Sequence, residues 1–416
     1  MVQSDQRRAT PFYLSPAGDD RADGRSPVTA WQSLERANRQ VFAPGDRLLL
    51  QGGARFPGSL RFDSADGGSP HAPVIVGSYG ACRATIEAVE GPAIFVHNTA
   101  GIEIRDVVAV GNPATYRSSG GISFYSDLPG DRGLDHVAVV NVEVCGFSYG
   151  IGVGGGRGGT GFRDVRIHAA SLHDNMTAGL ATYGPAFDAA SPSYPHQEVA
   201  VTRVQAYRNV GDATELARPT GSGIVLGGVR GARVEWSTAH HNGSACVAGE
   251  GPAGVWSYDS TGVVIQHNVS HHNRTGGRAD GDGFDLDQNV SDSVLQHNRS
   301  YRNDGAGYLL YAGPETENVG NVVRFNTSTD DAGGSGWYGG ITVAGRVRAA
   351  WIDHNTVVVT GRGTPRPPAV RLDGELAGVF LCDNTLVCEA AGPIVSASAL
   401  EPSAVTLRGN RYELVS

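Results

Sequence analysis

Four aspartates, Asp280, Asp282, Asp285 and Asp287, lie within eight residues of one another. Asp280 and Asp282 alternate with glycine, which is also the pattern of a plain polar turn. Asp285 and Asp287 lie in the segment Gly283-Phe-Asp-Leu-Asp287, where aspartate is disfavoured if the segment is a strand. Side chains two apart on a strand share one face, so we expect the two Cα atoms about 6.6 Å apart. The pair therefore indicates chemistry more strongly than the turn residues do.

Carboxylates this close raise each other's pKa unless a cation neutralises them. The cluster suits two kinds of site. In one, Asp280, Asp282, Asp285 and Asp287 hold Ca²⁺ through their oxygens. In the other, Asp285 and Asp287 are an acid and base pair. The spacing alone leaves both open.

Aromatic residues occupy equivalent positions in neighbouring segments. Gly254-Val-Trp-Ser-Tyr258 and Gly307-Tyr-Leu-Leu-Tyr311 repeat the pattern of a glycine followed by alternating side chains. The first and third residues after the glycine are expected to point inward, and the second and fourth outward. Flat rings beside carboxylates suit sugars, whose C–H faces stack on aromatic rings. The predicted substrate-binding residues on this face are Trp256 and Tyr183, and the candidate proton-transfer groups are Tyr258 and Tyr311.

The histidines form two columns when the repeats are aligned. One column is aromatic and typical of stacking from repeat to repeat; it contains His173, Tyr207, His240, His271 and Tyr301. The next column is polar and predicted to be exposed, and it includes His241 and His272. His272 could reach the aspartates across the loop that ends at Arg278, and histidine transfers protons near neutral pH. We therefore add His272 as a candidate catalytic base, and His241 and Arg278 as candidate substrate-binding residues.

A repeated asparagine identifies the elements that position these residues. One register steps by 30, 28, 29, 29 and 26 residues through Asn268, Asn298, Asn326, Asn355, Asn384 and Asn410. A second steps by 34, 33, 31 and 30 residues through Asn175, Asn209, Asn242, Asn273 and Asn303. A fixed period of this length indicates stacked supersecondary units. Runs such as Val263-Val-Ile265 are too short for helices, which predicts a coil of β-strands with buried asparagine ladders.

The chain is expected to be one domain with a distinct beginning. We predict a cap over residues 1–45, with a short amphipathic helix from Trp31 to Asn38, and a solenoid of about ten coils over residues 46–416 whose first strand is Leu48–Leu50. Longer polar stretches interrupt the coils at 182–200, 210–221, 243–252, 311–320 and 330–339. We expect the first and fourth of these stretches to wall a groove above the aspartates.

Composition excludes several classes. The net charge is −9, and the basic residues are all arginine, so a lysine base or Schiff base is excluded and nucleic acid is not an expected partner. No apolar stretch of 18 residues occurs, so a membrane is not an expected partner either. The first residues carry no apolar signal segment, which fits a protein kept inside the cell or one whose leader was removed. We expect a monomer.

The coiled strands, the asparagine ladder and the cap leading into Pro44-Gly45-Asp46 resemble the pectin-lyase-like superfamily. The resemblance implies an all-β fold, the single-stranded right-handed parallel β-helix, over nearly the whole chain. Asp282-Gly-Phe-Asp285 is similar to the calcium motif of family 9 pectate lyases, although Gly281 replaces one family aspartate and Leu309 stands where the catalytic lysine would fall. The same stretch resembles alginate C5-epimerases, but this chain has no Asp-Pro-His motif.

These observations leave several functions open. The first is a polysaccharide lyase that cleaves a uronic-acid-containing glycan by β-elimination, with Ca²⁺ on the aspartates and a tyrosine or His272 as the base. The second is a glycoside hydrolase that uses Asp285 and Asp287. A sugar C5-epimerase, a non-catalytic glycan-binding protein and a small-molecule pathway protein are further alternatives.

Overall fold

The computed structural model describes residues 9–112, 120–157, 159–334, 336–360, 366–389, 393–398, 401 and 403–415. In these residues the chain winds into a right-handed parallel β-helix with three long sheets. Each coil contributes one short strand to each sheet, and every strand pairs in parallel with its equivalents in the coils before and after it. The sheets have 14, 12 and 13 strands, so the described part of the solenoid has about twelve coils rather than ten.

The bounds of the elements are as follows. The first sheet consists of Pro11–Leu14, Arg47–Gln51, Val74–Tyr79, Ile102–Arg105, Gly133–Val140, Gly161–His168, His196–Thr202, Val229–Glu235, Thr261–Gln266, Val294–Gln296, Val322–Arg324, Trp351–Asp353, Val379–Cys382 and Val405–Arg408. The second consists of Leu60–Phe62, Ile94–His97, Gly120–Ser126, Tyr149–Gly155, Ala178–Tyr183, Ser222–Gly227, Ala253–Tyr258, Asp282–Leu286, Tyr308–Ala312, Ile341–Gly345, Val370–Asp373 and Val395–Ser398. The third consists of Arg55–Pro57, Ala84–Glu87, Val107–Val110, Glu143–Cys145, Ser171–His173, Gln205–Tyr207, Thr238–His240, Val269–His271, Arg299–Tyr301, Thr327–Thr329, Thr356–Val359, Thr385–Glu389 and Arg411–Val415.

Three small elements complete the structure. Asn318–Val319 and Val347–Arg348 form a two-stranded sheet, Pro27–Thr29 is a 3₁₀ turn and Leu34–Ala37 is a single α-helical turn. No helix in the described ranges is long and apolar enough to cross a membrane.

The core is a column of inward-facing side chains. In the second sheet the residues at the first and third positions after each glycine stack on one another, for example Val255, Phe284 and Tyr308, and all three are fully buried. The residues between them point outward. Each coil therefore has an apolar inner face along this column that only the next coil can cover.

Both asparagine ladders are present at the bends beside the third sheet. In each ladder the backbone N–H and the side-chain amide of one asparagine both donate to Oδ1 of the asparagine one coil later, as between Asn268 and Asn298 at 3.0 and 3.1 Å. The second ladder ends on Asp331, which accepts the same two bonds from Asn303. Asn268 and Asn298 are almost completely buried, which confirms the prediction that the ladders are buried.

The N-terminal segment is more than a cap. Pro11–Leu14 pairs in parallel with Arg47–Gln51, so it supplies the first strand of the first sheet, ahead of the strand predicted at Leu48. The predicted helix from Trp31 to Asn38 is shorter than expected, because Ser33 caps the single turn Leu34–Ala37. Trp31 lies before this turn, fully buried, and stacks on Phe12 with ring centroids 5.0 Å apart. The large ring closes the N-terminal end of the core.

Candidate active site

A pocket of about 840 Å³ lies on the outer face of the second sheet. Its floor is formed by outward-facing residues of five successive strands, from Ala178–Tyr183 to Tyr308–Ala312. The outward column predicted from the sequence is confirmed: it runs through Ala181, Val225, Trp256, Asp285, Leu309 and Thr342 in register. The first five of these line the pocket.

Strand Asp282–Leu286 places two carboxyl groups in the floor. Phe284 and Leu286 point into the core and are fully buried, so Asp285 points outward and Asp287, one residue beyond the strand, follows on the same side. Both line the pocket. Only 5% of Asp285 is exposed, and its Oδ1 has no hydrogen-bond partner among the described residues. Such a buried, unpaired oxygen is available to a ligand group.

A third carboxyl group, that of Asp280, enters the pocket from the loop before this strand. The backbone of Asp280 is left-handed, with φ of +56°, a conformation that aspartate tolerates better than most residues. Oδ1 accepts a hydrogen bond from the Tyr338 hydroxyl at 2.6 Å, and Oδ2 accepts one from the Gly251 N–H at 2.7 Å. Two loops from other coils therefore fix this carboxylate in place.

The fourth aspartate lies beneath the pocket. Asp282 is fully buried, and its Oδ1 accepts a hydrogen bond from the N–H of Ala306. Contrary to the prediction, it does not line the cavity. Asp282 also contacts the Asp280 carboxyl group, and burial followed by the charge of Asp280 raises the pKa of Asp282 well above its usual range. Two carboxyl groups can share a hydrogen bond only if one of them carries a proton. The raised pKa favours Asp282 as the partner that carries the proton.

Burial raises the pKa of all four carboxyl groups, but to different extents. For Asp287, burial and then the charge of Asp280 raise the pKa to about 8. For Asp285, burial raises the pKa well above its usual range, and Asp287 and Asp282 raise it further when they ionise. For Asp280, hydrogen bonds from Tyr338, Gly251 and Asp282 oppose the effect of burial on the pKa. At neutral pH the pocket thus contains a carboxyl group that keeps its proton, Asp287, beside one whose charged form is stabilised by several hydrogen bonds, Asp280.

Aromatic side chains form the rest of the pocket. The Trp256 ring is half-buried with its Nε1 donating to Ser222 Oγ at 3.1 Å, and it packs against Tyr258 with centroids 5.3 Å apart. Tyr183 stacks on Tyr149 at 5.9 Å, and Tyr311 lines the pocket on the other side of the aspartates. Burial raises the pKa of Tyr183 to about 12 and also raises the pKa values of Tyr258 and Tyr311. These hydroxyls hold their protons.

His272 and His241 do not line the pocket, contrary to the prediction. They follow strands of the third sheet at a different corner of the coil, each in left-handed conformation just before a ladder asparagine. Their rings stack on each other at 5.1 Å, and His272 Nδ1 lies 2.8 Å from Nδ1 of His271. The buried ladder fixes the backbone at this corner, so these side chains are held away from the aspartates.

The walls of the pocket come mainly from other loops than those expected. Arg218, Glu250 and Arg278 belong to three loops that enter from the third sheet, and Trp337 and Tyr338 belong to the insertion at 330–339. The stretches 182–200 and 311–320, which were expected to form the walls, contribute only their first residues. The sequence identified 330–339 as an insertion, and its Trp-Tyr pair is the signal that could have pointed to the pocket.

The predicted metal ligands do not form a cation cage. Among the residues that the structure describes, no three His, Cys, Asp or Glu side chains are arranged to hold a metal ion. Both oxygens of Asp280 and one of Asp282 already accept hydrogen bonds from the protein. Ca²⁺ would have to displace these donors to gain its usual oxygen ligands.

Comparison with known proteins identifies the fold. The model of the right handed beta helix region matches residues 131–357, whereas no curated protein matches the sequence. The GH136 lacto-N-biosidase from Eubacterium ramulus has a TM-score of 0.69 at 18% identity, over 98% of this chain and 68% of its own. A mannuronic acid specific polysaccharide family 6 lyase from human gut microbiota has a TM-score of 0.53 at 12% identity, over 92% and 85%. The mannuronan C-5 epimerase A-module from Azotobacter vinelandii has a TM-score of 0.51 at 16% identity, over 87% and 91%.

Proposed function

The chain belongs to the right-handed beta-helix family, and we propose that it is a carbohydrate-active enzyme that hydrolyses glycosidic bonds between uncharged sugars. The fold alone does not select this reaction, since a biosidase, a lyase and an epimerase share it. The observation that carries the proposal is one aromatic pocket that contains a protonated carboxyl group, Asp287, and a hydrogen-bonded carboxylate, Asp280. Hydrolysis of a glycosidic bond needs this pair of groups.

The two carboxyl groups have different roles in this proposal. Asp287 gives its proton to the glycosidic oxygen as the bond to the anomeric carbon breaks, and it can do so because its pKa is about 8. Asp280, ionised, either attacks the anomeric carbon or takes a proton from the attacking water. Asp280 replaces Asp285 in the predicted pair, because no group of the described chain donates to Asp285 Oδ1 to support a charge there.

The other pocket residues bind the sugar. The Asp285 carboxyl group, protonated and with one oxygen unpaired, is suited to a hydrogen bond with a sugar hydroxyl. Trp256, Tyr258 and Tyr183 provide aromatic surface along the N-terminal side of the carboxyl groups. Arg278 and Arg218 are exposed at the rim and can bond to sugar hydroxyls that leave the pocket.

The pocket offers poor support for β-elimination or epimerisation. Both reactions need a base for a carbon-bound proton, yet burial raises the pKa of Tyr258 and Tyr311, and His272 lies outside the pocket. A uronate carboxylate would also meet the Asp280 carboxylate and, at the rim, Glu250. Negative charges in the same pocket repel one another. An uncharged sugar avoids this cost.

The test is a panel of neutral oligosaccharides and uronic-acid polysaccharides, read for new reducing ends and for the ultraviolet absorbance of unsaturated products. We expect reducing ends from neutral substrates without that absorbance, and no effect of a chelator. Asp287→Asn and Asp280→Asn should each lower kcat by about 10²-fold or more. Asp292→Asn, an equivalent change at an exposed turn, should leave kcat unchanged.

Four outcomes would refute the proposal. Unsaturated products would establish a lyase, loss of activity on chelation would establish a metal site, and full activity of both pocket variants would remove the aspartates from the mechanism. Tight glycan binding without turnover would indicate a binding protein. The anomeric configuration of the first product then decides between a water-activating and a nucleophilic role for Asp280.

A further inference from the structure

Tyr338 makes an unusual double contact with Asp280. Its hydroxyl donates to Asp280 Oδ1 at 2.6 Å and accepts the backbone N–H of the same residue at 2.7 Å. The two residues are 58 positions apart and belong to loops of different coils. A hydroxyl bonded in this way fixes both the backbone and the carboxyl group of one residue.

The Tyr338 ring is held firmly enough to do this. Only 5% of Tyr338 is exposed, and the ring packs with Ala306, Leu309 and Ala332 in a small apolar cluster separate from the main core. Trp337 contacts it edge to face with centroids 4.8 Å apart. The position of the hydroxyl is therefore set by packing and does not depend on the bond to Asp280.

Asp282 supports Asp280 from below. Asp282 Oδ1 accepts the N–H of Ala306, while no N–H or hydroxyl of the described chain donates to its buried Oδ2. If Asp282 carries the proton, its Oδ2 can donate that proton to the Asp280 carboxylate and is then no longer without a partner. Asp282 and Tyr338 then both donate to the Asp280 carboxylate.

We propose that Tyr338 and Asp282 are positioning residues that orient the Asp280 carboxylate toward the substrate and keep it ionised. The inference rests on the proposed function for its catalytic consequence only. The contacts themselves predict how Asp280 titrates, whatever the reaction is. A hydrogen bond to the charged form of an acid favours that form, so its loss must raise the pKa of Asp280.

The first experiment measures Asp280 without any substrate. In protein labelled with ¹³C at the aspartate carboxyl carbons, the resonance that disappears in Asp280→Asn is assigned to Asp280, and its titration is followed in each variant. We expect Tyr338→Phe, which keeps the ring and deletes the hydroxyl, to move this titration to higher pH. Tyr308→Phe is the matched control, because it deletes the hydroxyl of a fully buried tyrosine that bonds to Asn298 O outside the pocket.

A pair of changes at Asp282 tests the second donor independently. Asp282→Asn keeps an acceptor for Ala306 and an N–H for Asp280, whereas Asp282→Ala removes both. We expect the alanine variant to raise the pKa of Asp280 and the asparagine variant to restore it. This pair also tests the inference if Tyr338→Phe does not fold.

Activity provides the second readout. On the neutral oligosaccharide hydrolysed fastest by the unaltered enzyme, Tyr338→Phe should lower kcat by about 10- to 100-fold, the loss of a hydrogen bond to a charged group, with little change in KM. The inference is wrong if Asp280 titrates at the same pH in Tyr338→Phe, Asp282→Ala and the unaltered protein. The proposed function fails separately if Asp280→Asn is fully active, because that result does not depend on Tyr338.

Discussion

Asp280 and Asp287 are the same residue type in the same pocket, and in the proposed mechanism their different surroundings give them opposite protonation. Asp280 receives donors from two distant loops, and Asp287 accepts a single bond, from the N–H of the next residue, Gln288. Burial raises the pKa of both groups, but more hydrogen bonds oppose that rise at Asp280 than at Asp287. Such a pair separates the tasks of acid and base within a few residues of chain.

The alkaline limit of activity should report Asp287. Because the acid must carry its proton, we expect kcat/KM for a neutral oligosaccharide to fall as the pH rises through about 8. A dinitrophenyl glycoside needs no proton on its leaving group, so its kcat should fall much less over the same range and should survive in Asp287→Asn. The comparison is made by steady-state kinetics across pH on both substrates. An identical alkaline limb for the two substrates would contradict this role.

The sequence predicted the direction of the aspartate side chains correctly, but it carried no information about which of them are protonated. Alternation after Gly283 predicted that Asp285 and Asp287 point outward together, and both line the pocket. The donors to Asp280 come from Gly251 and Tyr338, which are 29 and 58 residues away. No local sequence pattern indicates which loops from other coils come into contact above a given coil. The proposal that Asp280 acts as the anion therefore required the structure.

The asparagine ladders are the elements that keep successive coils in register. Each internal asparagine accepts two bonds from the coil before it and donates its side-chain amide both to a backbone carbonyl and to the next asparagine, as Asn298 does with Asn268, Ile265 and Asn326. A shift of register by one residue would leave these buried groups unpaired. The ladder thereby also fixes the registers of the aspartate and aromatic columns.

Removing one ladder residue should therefore be costly. Asn298→Ala leaves the Asn268 N–H and side-chain amide without their acceptor in a buried bend, and we expect a loss of about 2 to 4 kcal/mol in unfolding free energy. Asn410→Ala, at the last rung, removes the same contacts where the bend is partly exposed, and should cost less. Urea denaturation of both variants measures the difference. Equal destabilisation would show that burial of the ladder contributes nothing.

The repeat made this part of the fold predictable. The period of about 30 residues and the registers of both ladders were visible because each coil must place the same residue at the same bend. The N-terminal segment has no repeat to read. Its strand Pro11–Leu14 was missed, and the helix from Trp31 to Asn38 was predicted too long. The segment packs only on the end of the first coil, so no repeated position indicates its structure.

At the scale of the whole molecule, the buried aspartates of the pocket affect both the proposed function and the stability of the fold. Loops from several coils close over the aspartates, and the burial that keeps Asp287 protonated also makes its ionised form unfavourable in the folded state. A solenoid can tolerate an unfavourable buried carboxyl group in one coil, because ladders and core contacts stabilise the neighbouring coils independently. Sites of this kind are expected to lower stability where they ionise.

The pH dependence of stability tests this link. The pKa of Asp287 is raised from 3.8 to about 8, so its contribution is fully present below pH 3.8 and is lost as the pH rises through 8. The buried His196 has the opposite sign, since its pKa is lowered from 6.5 to about 4, and its contribution is lost as the pH falls from 6.5 through 4. Above pH 6.5 the contribution of His196 to stability is constant, and only that of Asp287 still changes with pH.

We therefore expect the unfolding free energy to fall by about 2 kcal/mol between pH 6.5 and 8 from Asp287 alone. Asp282 and Asp285, whose pKa values burial raises well above the usual range, should extend the loss to higher pH. Asp287→Asn should flatten the slope between pH 6.5 and 8 and make the variant more stable than the unaltered protein at pH 8, while Asp292→Asn should follow the unaltered curve. Urea denaturation at several pH values measures both. A stability that is constant or rising over this interval would mean that Asp287 is already ionised in the folded protein, and the acid of the proposed mechanism would then be lost with it.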